Sequence, residues 1–436
     1  MPQIALFVCV AFILFALHQN KKENPPVSRS LWIPFLWFAV SASKSFSLWL
    51  HPNFIGISLS EYDYSAGTTL DRNIAVILIC AGIWVLYKRK TRFFVDFGKN
   101  IWLYFFYFYA LVSVSWSDYM GVSIKRWVKL AGDVVMVLVV LTDEEPVEAV
   151  DQIFRRCAIL LIPLSVLFIK YYRLIGVYYD RAGNTTVWRG VSDNKNSLGM
   201  MCAFIGVYLV WRVLKRRPKI NYVDLFLLGL TIYLLSGSHS STSTIVFIMG
   251  TMILFLDFLL KGNKEIVKRI AISAVLIFGL LIGFFGDSVT SLFFSSAGRD
   301  STFTGRTVFW DDLLKIGSQR LVLGHGYGGF WLGELTTHNL WNTYAIKPNS
   351  SHNGYIDVFI DLGLLGLMLL FFFLIHTYKY LINISQEAKM ETLQLAFLIM
   401  ILFHNITESS FARVTNFLWL IFLSLAIHVD SREMNP

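Results

Sequence analysis

Apolar runs follow one another along almost the whole chain, and only one long polar stretch, Asp287 to Ser351, interrupts them. A helix needs roughly 20 apolar residues to cross the hydrocarbon core of a bilayer. The runs fall near 2–18, 31–50, 72–87, 101–116, 127–141, 156–170, 197–213, 222–237, 241–260, 268–286, 353–377, 392–406 and 411–429. They predict an all-α polytopic integral membrane protein with 12–13 transmembrane helices and one large exterior loop. The expected organisation is a bundle over 1–286, a loop with an amphipathic helix over 287–352, and closing helices over 353–436. Charged residues make up 15% of the chain, against about 25% in soluble proteins.

The formal net charge of +9 does not require a nucleic-acid partner here. The densest basic clusters, Lys88-Arg89-Lys90 and Lys215-Arg216-Arg217, fall on one side if helices alternate, which fits cytoplasmic retention of positive charge. That orientation puts the 287–352 loop outside. It also leaves Lys125, Arg126, Lys170, Arg173, Arg181, Arg189, Lys195, Arg299, Arg306, Lys315, Arg320 and Lys347 on the exterior face, where the rule does not call for them. Together they suggest an anionic ligand, because guanidinium groups pair with phosphate through two parallel hydrogen bonds. Cys9, Cys80, Cys157 and Cys202 lie in or beside apolar runs, which speaks against a disulfide framework or a cysteine metal site. The first apolar run reads as a retained helix, with no basic leader before it.

Within the loop, Gly305-Arg306 precedes Thr307 to Ile316, whose polar and apolar residues alternate at helical spacing. That pattern describes an amphipathic helix with Trp310 at the membrane interface; its plain alternative is an anchor helix. Gly324-His325-Gly326-Tyr327-Gly328-Gly329 reads as a tight loop, and it lacks the ending of a nucleotide-binding P-loop. Ser350-Ser351-His352-Asn353 stands where loop becomes helix. Ser351 or Asn353 can cap that helix, which leaves His352 as a candidate general base. Asn194, Arg189 and Lys195 lie in a second exterior polar stretch suited to phosphate and sugar hydroxyls. Lys44, Asp133, Asp357 and Asp361 fall inside apolar runs, where charge is costly and faces a partner or a cavity. Asp357 and Asp361, four apart, share a helix face, and Lys44 or Arg126 could pair with them. The pair Asp311-Asp312 is a weak metal signal, and no metal or cofactor is expected.

These motifs resemble the O-antigen ligase and O-antigen polymerase superfamily, and look most like its ExoQ-like exopolysaccharide polymerases. His352-Asn353, nine residues, Gly363, two residues and Gly366 reproduce the ligase signature. The order Gly305-Arg306 with Trp310, Gly324-His325-Gly326 with Phe330-Trp331, then His352-Asn353-Gly354-Tyr355 is similar too. So are Asn194-Lys195-Asn196-Ser197 and Ser115-Trp116-Ser117-Asp118 before Arg126. His325 departs from the small or apolar residue expected between the glycines, and Lys44 stands where arginine is usual.

The resemblance implies a GT-C-like, metal-independent, inverting glycosyltransferase of the bacterial inner membrane, with its active site on the periplasmic face. The donor would be an undecaprenyl-diphosphate-linked oligosaccharide and the acceptor a glycan, with a chain-length regulator as a further partner. His352 would act as the base or orient the acceptor, and Arg306 and Arg189 would grip the leaving diphosphate. Arg189, Lys195, Asn194, Arg126, Trp310, His325, Asn353 and Asp357 would contact substrate. Polymerisation of repeat units leads; ligation to lipid A core is the near alternative. A lipid-linked sugar flippase is the alternative from another class, weakened by charge gathered in loops rather than along helices.

Overall fold

The computed structural model describes residues 1–23, 27–50, 68–89, 93–179, 186–215, 221–260, 302–332, 348–383 and 390–431. Nearly all of these residues are helical or connect helices. Among the described residues, six helices are long and apolar enough to cross a membrane: Pro2–Glu23, Thr69–Arg89, Pro146–Tyr171, Lys195–Lys215, Ser241–Leu259 and Gly354–Asn383. Tyr222–Ser238, Glu391–Thr407 and Phe417–Ala426 are shorter apolar helices. The protein is thus an all-α polytopic membrane protein. The apolar run 268–286 lies outside the described residues; each other run has a helical counterpart. Starts are chemically marked: Asn221 and Asn416 each accept hydrogen bonds from the first free amides of their helices, and Pro146 opens another, where its missing N–H costs nothing.

The chain divides into two compact units. The first comprises Met1–Asn100, Val128–Phe247 and Val414–Pro436. Pro146–Tyr171 and Lys195–Lys215 are its most buried spans, whereas Pro2–Glu23 and Thr69–Arg89 expose most of their apolar side chains, as lipid-facing helices do. Four helices are tied by buried charge. Arg155 donates to Asp224 (3.1 Å), Asn20 (2.8 Å) and Glu23 (3.2 Å). Arg212 donates to Asp224 (2.9 Å) and to Asp151. Asp133, expected to seek a cationic partner, instead accepts from the Trp37 indole at 2.7 Å.

The run 31–50 is not one span. Helix Trp32–Ser41 stops, and Lys44 lies in the following turn, before Phe46–Leu50. The expectation of a lysine inside a membrane helix is therefore corrected. Its ammonium donates to the Ile175 carbonyl at 3.0 Å.

The second unit comprises Ile101–Trp127 and Ile248–Arg413. Its backbone element is Gly354–Asn383, against which Ile101–Ser113, Thr302–Ser318 and Glu391–Thr407 pack. Trp102 stacks on Phe372 with ring centroids 4.7 Å apart. The apolar face of Thr302–Ser318 is spent inside the protein: Phe309 and Leu313 are buried with Phe330, Trp331, Phe359 and Ile360. That face meets protein, while Val308 and Leu314 of the same helix stay exposed.

Candidate active site

The helix Gly354–Asn383 breaks in its first third. Gly363 has φ 66° and ψ −167°, a region open in practice only to glycine. A break in a helix orphans carbonyls before it and amides after it, and here the glycine-rich segment supplies their partners. The carbonyls of Ile360 and Asp361 accept from His325 N (2.9 Å) and Gly326 N (2.8 Å). The amides of Leu364 and Leu365 donate to Leu321 O (2.9 Å) and Val322 O (3.2 Å). Tyr109 Oη lies 3.1 Å from the carbonyl oxygens of both Leu323 and Leu362. The approach is so close that a Cβ on Gly363 would stand 2.2 Å from Val322 O, and one on Gly324 2.4 Å from Gly363 N. The apolar run 353–377 thus conceals a discontinuous helix, with the glycine loop as its missing turn.

Asp357 and Asp361 use their shared face to hold two separate loops. Asp361 Oδ2 accepts from Gly328 N at 3.0 Å, and the Gly328 carbonyl accepts from the Arg126 guanidinium. Asp357 Oδ1 accepts from Ser351 N at 2.8 Å. On each aspartate the second oxygen is buried without a hydrogen-bond partner. Asp357 therefore anchors the loop that carries His352.

His352 stands on the loop that Asp357 fixes. Trp310 Nε1 donates to Ser351 O at 2.8 Å, which ties the helix Thr302–Ser318 to this loop. Ser351 Oγ donates to Asn353 O at 2.7 Å. Asn353 Oδ1 accepts from the amides of Tyr355 and Ile356, so Asn353 is the helix cap. These bonds hold His352 at φ 54°, in the left-handed region, a conformation that a non-glycine residue keeps only when its surroundings enforce it. The imidazole is 44% exposed, with Nδ1 3.1 Å from Glu408 Oε2.

The side chain of His325 is buried, 5.1 Å from the Phe330 ring. Burial, then the charge of Arg320, hold its pKa below the ordinary histidine value. The side chain of Arg306 lies outside the described residues. Lys315 is exposed beside Asp312, 3.2 Å away.

The remaining sequence candidates belong to the first unit. Arg189 is buried and donates to Ile175 O (2.9 Å) and Leu174 O (3.0 Å), so much of its guanidinium is used in closing its own loop. Asn194 Oδ1 caps the helix opened by Lys195, accepting from Asn196 N and Ser197 N at 3.0 Å each. Beside them Asp193 Oδ1 is buried without a hydrogen-bond partner. Burial raises Asp193 to about 6, although Lys44 and Arg189 pull it down. Burial and the neighbouring Arg189 charge lower Lys44 to about 8 against the pull of Asp193.

In this multi-pass membrane protein a histidine is thus held beside a carboxylate, next to a discontinuous helix and a glycine loop bound by Arg126. Residues 225–371, which include His352, the glycine loop and Gly363, match the family model described as O-antigen ligase. The chain is also similar to the exopolysaccharide production protein ExoQ of Rhizobium meliloti (strain 1021), with 24% identity over 347 residues, 72% of either chain. The two matches support membership of the O-antigen ligase and polymerase superfamily. That family suggests a polymerase or ligase enzyme.

Glu408 was not among the sequence candidates. It lies 56 residues beyond His352 in a turn that carried a single acid and no motif; only its side-chain proximity marks it.

Proposed function

We propose that the chain polymerises undecaprenyl-diphosphate-linked repeat units into an exopolysaccharide or O-antigen chain, on the periplasmic face of the bacterial inner membrane. The observation that carries this reading is the exposed imidazole of His352 on a loop fixed from both sides. With Nδ1 turned to Glu408, Nε2 is the nitrogen left to accept a proton. An acceptor hydroxyl loses its proton to Nε2 as its oxygen attacks the anomeric carbon. The bond from that carbon to the diphosphate oxygen breaks, and its electron pair leaves with the lipid diphosphate. Guanidinium groups stabilise that developing charge; Arg306, read from the sequence, and Arg126 are assigned to it. Diphosphate is a good leaving group, so the reaction proceeds without a metal and inverts the sugar carbon by in-line displacement. A chain-length regulator would act on the growing product.

The family description, O-antigen ligase, favours a second reading, transfer of a finished glycan to lipid A core. One experiment separates them. Purified protein in liposomes receives the lipid-linked repeat unit with no other acceptor, and products are sized on a gel. A ladder of multiples is expected, and His352→Ala should reduce it by about 10²–10⁴-fold. A single transfer seen only when lipid A core is added would replace polymerase by ligase. Near-normal turnover of His352→Ala would remove His352 as the base.

A further inference from the structure

We propose that Glu408 is the positioning residue for His352: it fixes the imidazole's orientation and tautomer and balances the charge that the ring acquires. This rests on the reading of His352 as the base. The geometry is built from two elements. Glu408 follows the helix Glu391–Thr407, and its amide donates to His404 O at 2.9 Å, so the residue is the first beyond the helical ladder. The turn that follows is tied by Asn405, whose Oδ1 accepts from Ser410 N (2.9 Å) and Phe411 N (3.1 Å) and whose Nδ2 donates to Ile401 O. The same carboxamide lies against Gly354, where a Cβ would stand 2.0 Å from Asn405 Oδ1. Glycine at 354, two residues after His352, thus allows the two segments to close on each other and brings Oε2 of Glu408 within 3.1 Å of Nδ1. Tyr355 Oη adds a bond to Leu402 O at 3.1 Å, and Arg413 of the same turn donates to Asn349 O. Four contacts, each from a different residue, thus hold the histidine loop and the glutamate turn in register.

The chemical consequence follows from the imidazole's two nitrogens. A carboxylate accepts only, so Nδ1 carries hydrogen toward Glu408 and Nε2 presents its lone pair. When Nε2 takes the acceptor's proton, the ring becomes an imidazolium with both nitrogens protonated. The Glu408 carboxylate then lies against a full positive charge and keeps its own charge throughout. The left-handed corner at His352 limits how the ring can turn, and the carboxylate selects one setting.

The test uses the full chain in liposomes with lipid-linked repeat unit extracted from the producing cells, comparing wild type, Glu408→Gln, Glu408→Asp, His352→Ala and the double variant. If no ladder forms with wild type, the same set is compared on transfer to lipid A core. Glu408→Gln should lower kcat by about 10–100-fold, the cost typical of losing a partner that orients a functional histidine, with KM for the lipid-linked donor unchanged. Glu408→Asp, which keeps the charge at a longer reach, should recover part of that loss. In the His352→Ala background Glu408→Gln should change nothing further, because its effect passes through the imidazole. Wild-type kcat in Glu408→Gln, the same fold-loss in both backgrounds, or a rise in KM alone would overturn the proposal while leaving His352 as base. Near-normal turnover of His352→Ala would instead overturn the base assignment, and this proposal with it. Should Glu408→Gln not fold, undiminished kcat in Glu408→Asp would be the overturning result.

Discussion

The two units treat buried charge in opposite ways. In the first, Arg155 and Arg212 meet Asp151, Asp224 and Glu23 directly, with both guanidinium groups almost fully buried. Charge answers charge, and four helices are stapled. In the second, Asp357 and Asp361 bind backbone amides of loops and keep an oxygen each without a hydrogen-bond partner, and the histidine beside them is exposed. The first arrangement is closed on itself and serves architecture. The second uses charge to place loops, and leaves hydrogen-bonding capacity and an imidazole for something else. The contrast is between these two clusters: buried atoms without a hydrogen-bond partner also occur in the first unit, at Asp133 and Asp193.

Removing one charge from the closed network gives the largest effect on stability. Asp224 serves both arginines, so Asp224→Asn leaves two buried cations short of an anion. Breaking a buried pair in this way costs about 3–5 kcal/mol. Thermal unfolding in detergent should show a much lower midpoint, while turnover per folded molecule stays near wild type. A large loss of turnover at unchanged stability would erase the distinction between the units.

The complementary change falls in the second unit. Gly363→Ala places a methyl where Val322 O already stands at 2.2 Å and asks a non-glycine residue to hold φ 66°. The glycine loop must then withdraw from the helix break, taking the Gly328 carbonyl and its Arg126 contact with it. Displacement of about 1 Å at a reacting centre can cost about 10²-fold in rate, and a loss of that order is expected, checked by product formation in liposomes. Gly229→Ala is the control, since a Cβ there meets nothing within 4 Å.

Much of this was legible in the sequence, and the failures are as physical as the successes. Apolar runs locate helices because bilayer thickness fixes their length, and Asn353 before an apolar run marks a cap. The helix Thr302–Ser318 was legible only over Thr307 to Ile316, from alternation, and not what its apolar face would meet. Two breaks were invisible. The run 31–50 ends a helix at Ser41 because of how Lys44 and its neighbours are used, and Asp361-Leu362-Gly363-Leu364 reads as uninterrupted helix. What breaks the latter is a loop some forty residues earlier in the chain, a tertiary partner that no local pattern encodes. Glu408 escaped for the same reason. Arg189 and Asn194 were found as polar exterior residues, but sequence could not tell that carbonyls and amides of their own loop would occupy them.

The smallest expected effect sharpens the comparison from a third place, the Lys44, Arg189 and Asp193 group of the first unit, where charges are buried but incompletely answered. Asp193 sits at about 6 instead of the ordinary 3.8. The folded state therefore holds a proton that the unfolded chain releases between those values, and stability falls as pH rises from about 4 to 6. Lys44 sits at about 8 instead of 10.5. The unfolded chain holds the extra proton over that interval, so stability rises as pH climbs beyond 8 and is lost again as pH falls through 8. Neither group can contribute more than about 1.4 kcal/mol per pH unit. Relative to Asp193→Asn, the wild-type unfolding midpoint should therefore fall between pH 4 and 6, and relative to Lys44→Met it should rise above pH 8. Asp193→Asn should flatten the acid side and leave the alkaline rise. A difference that peaks near neutrality would mean that the three charges stabilise one another as the Arg155 and Arg212 network does, and that the contrast lies between individual clusters rather than between units.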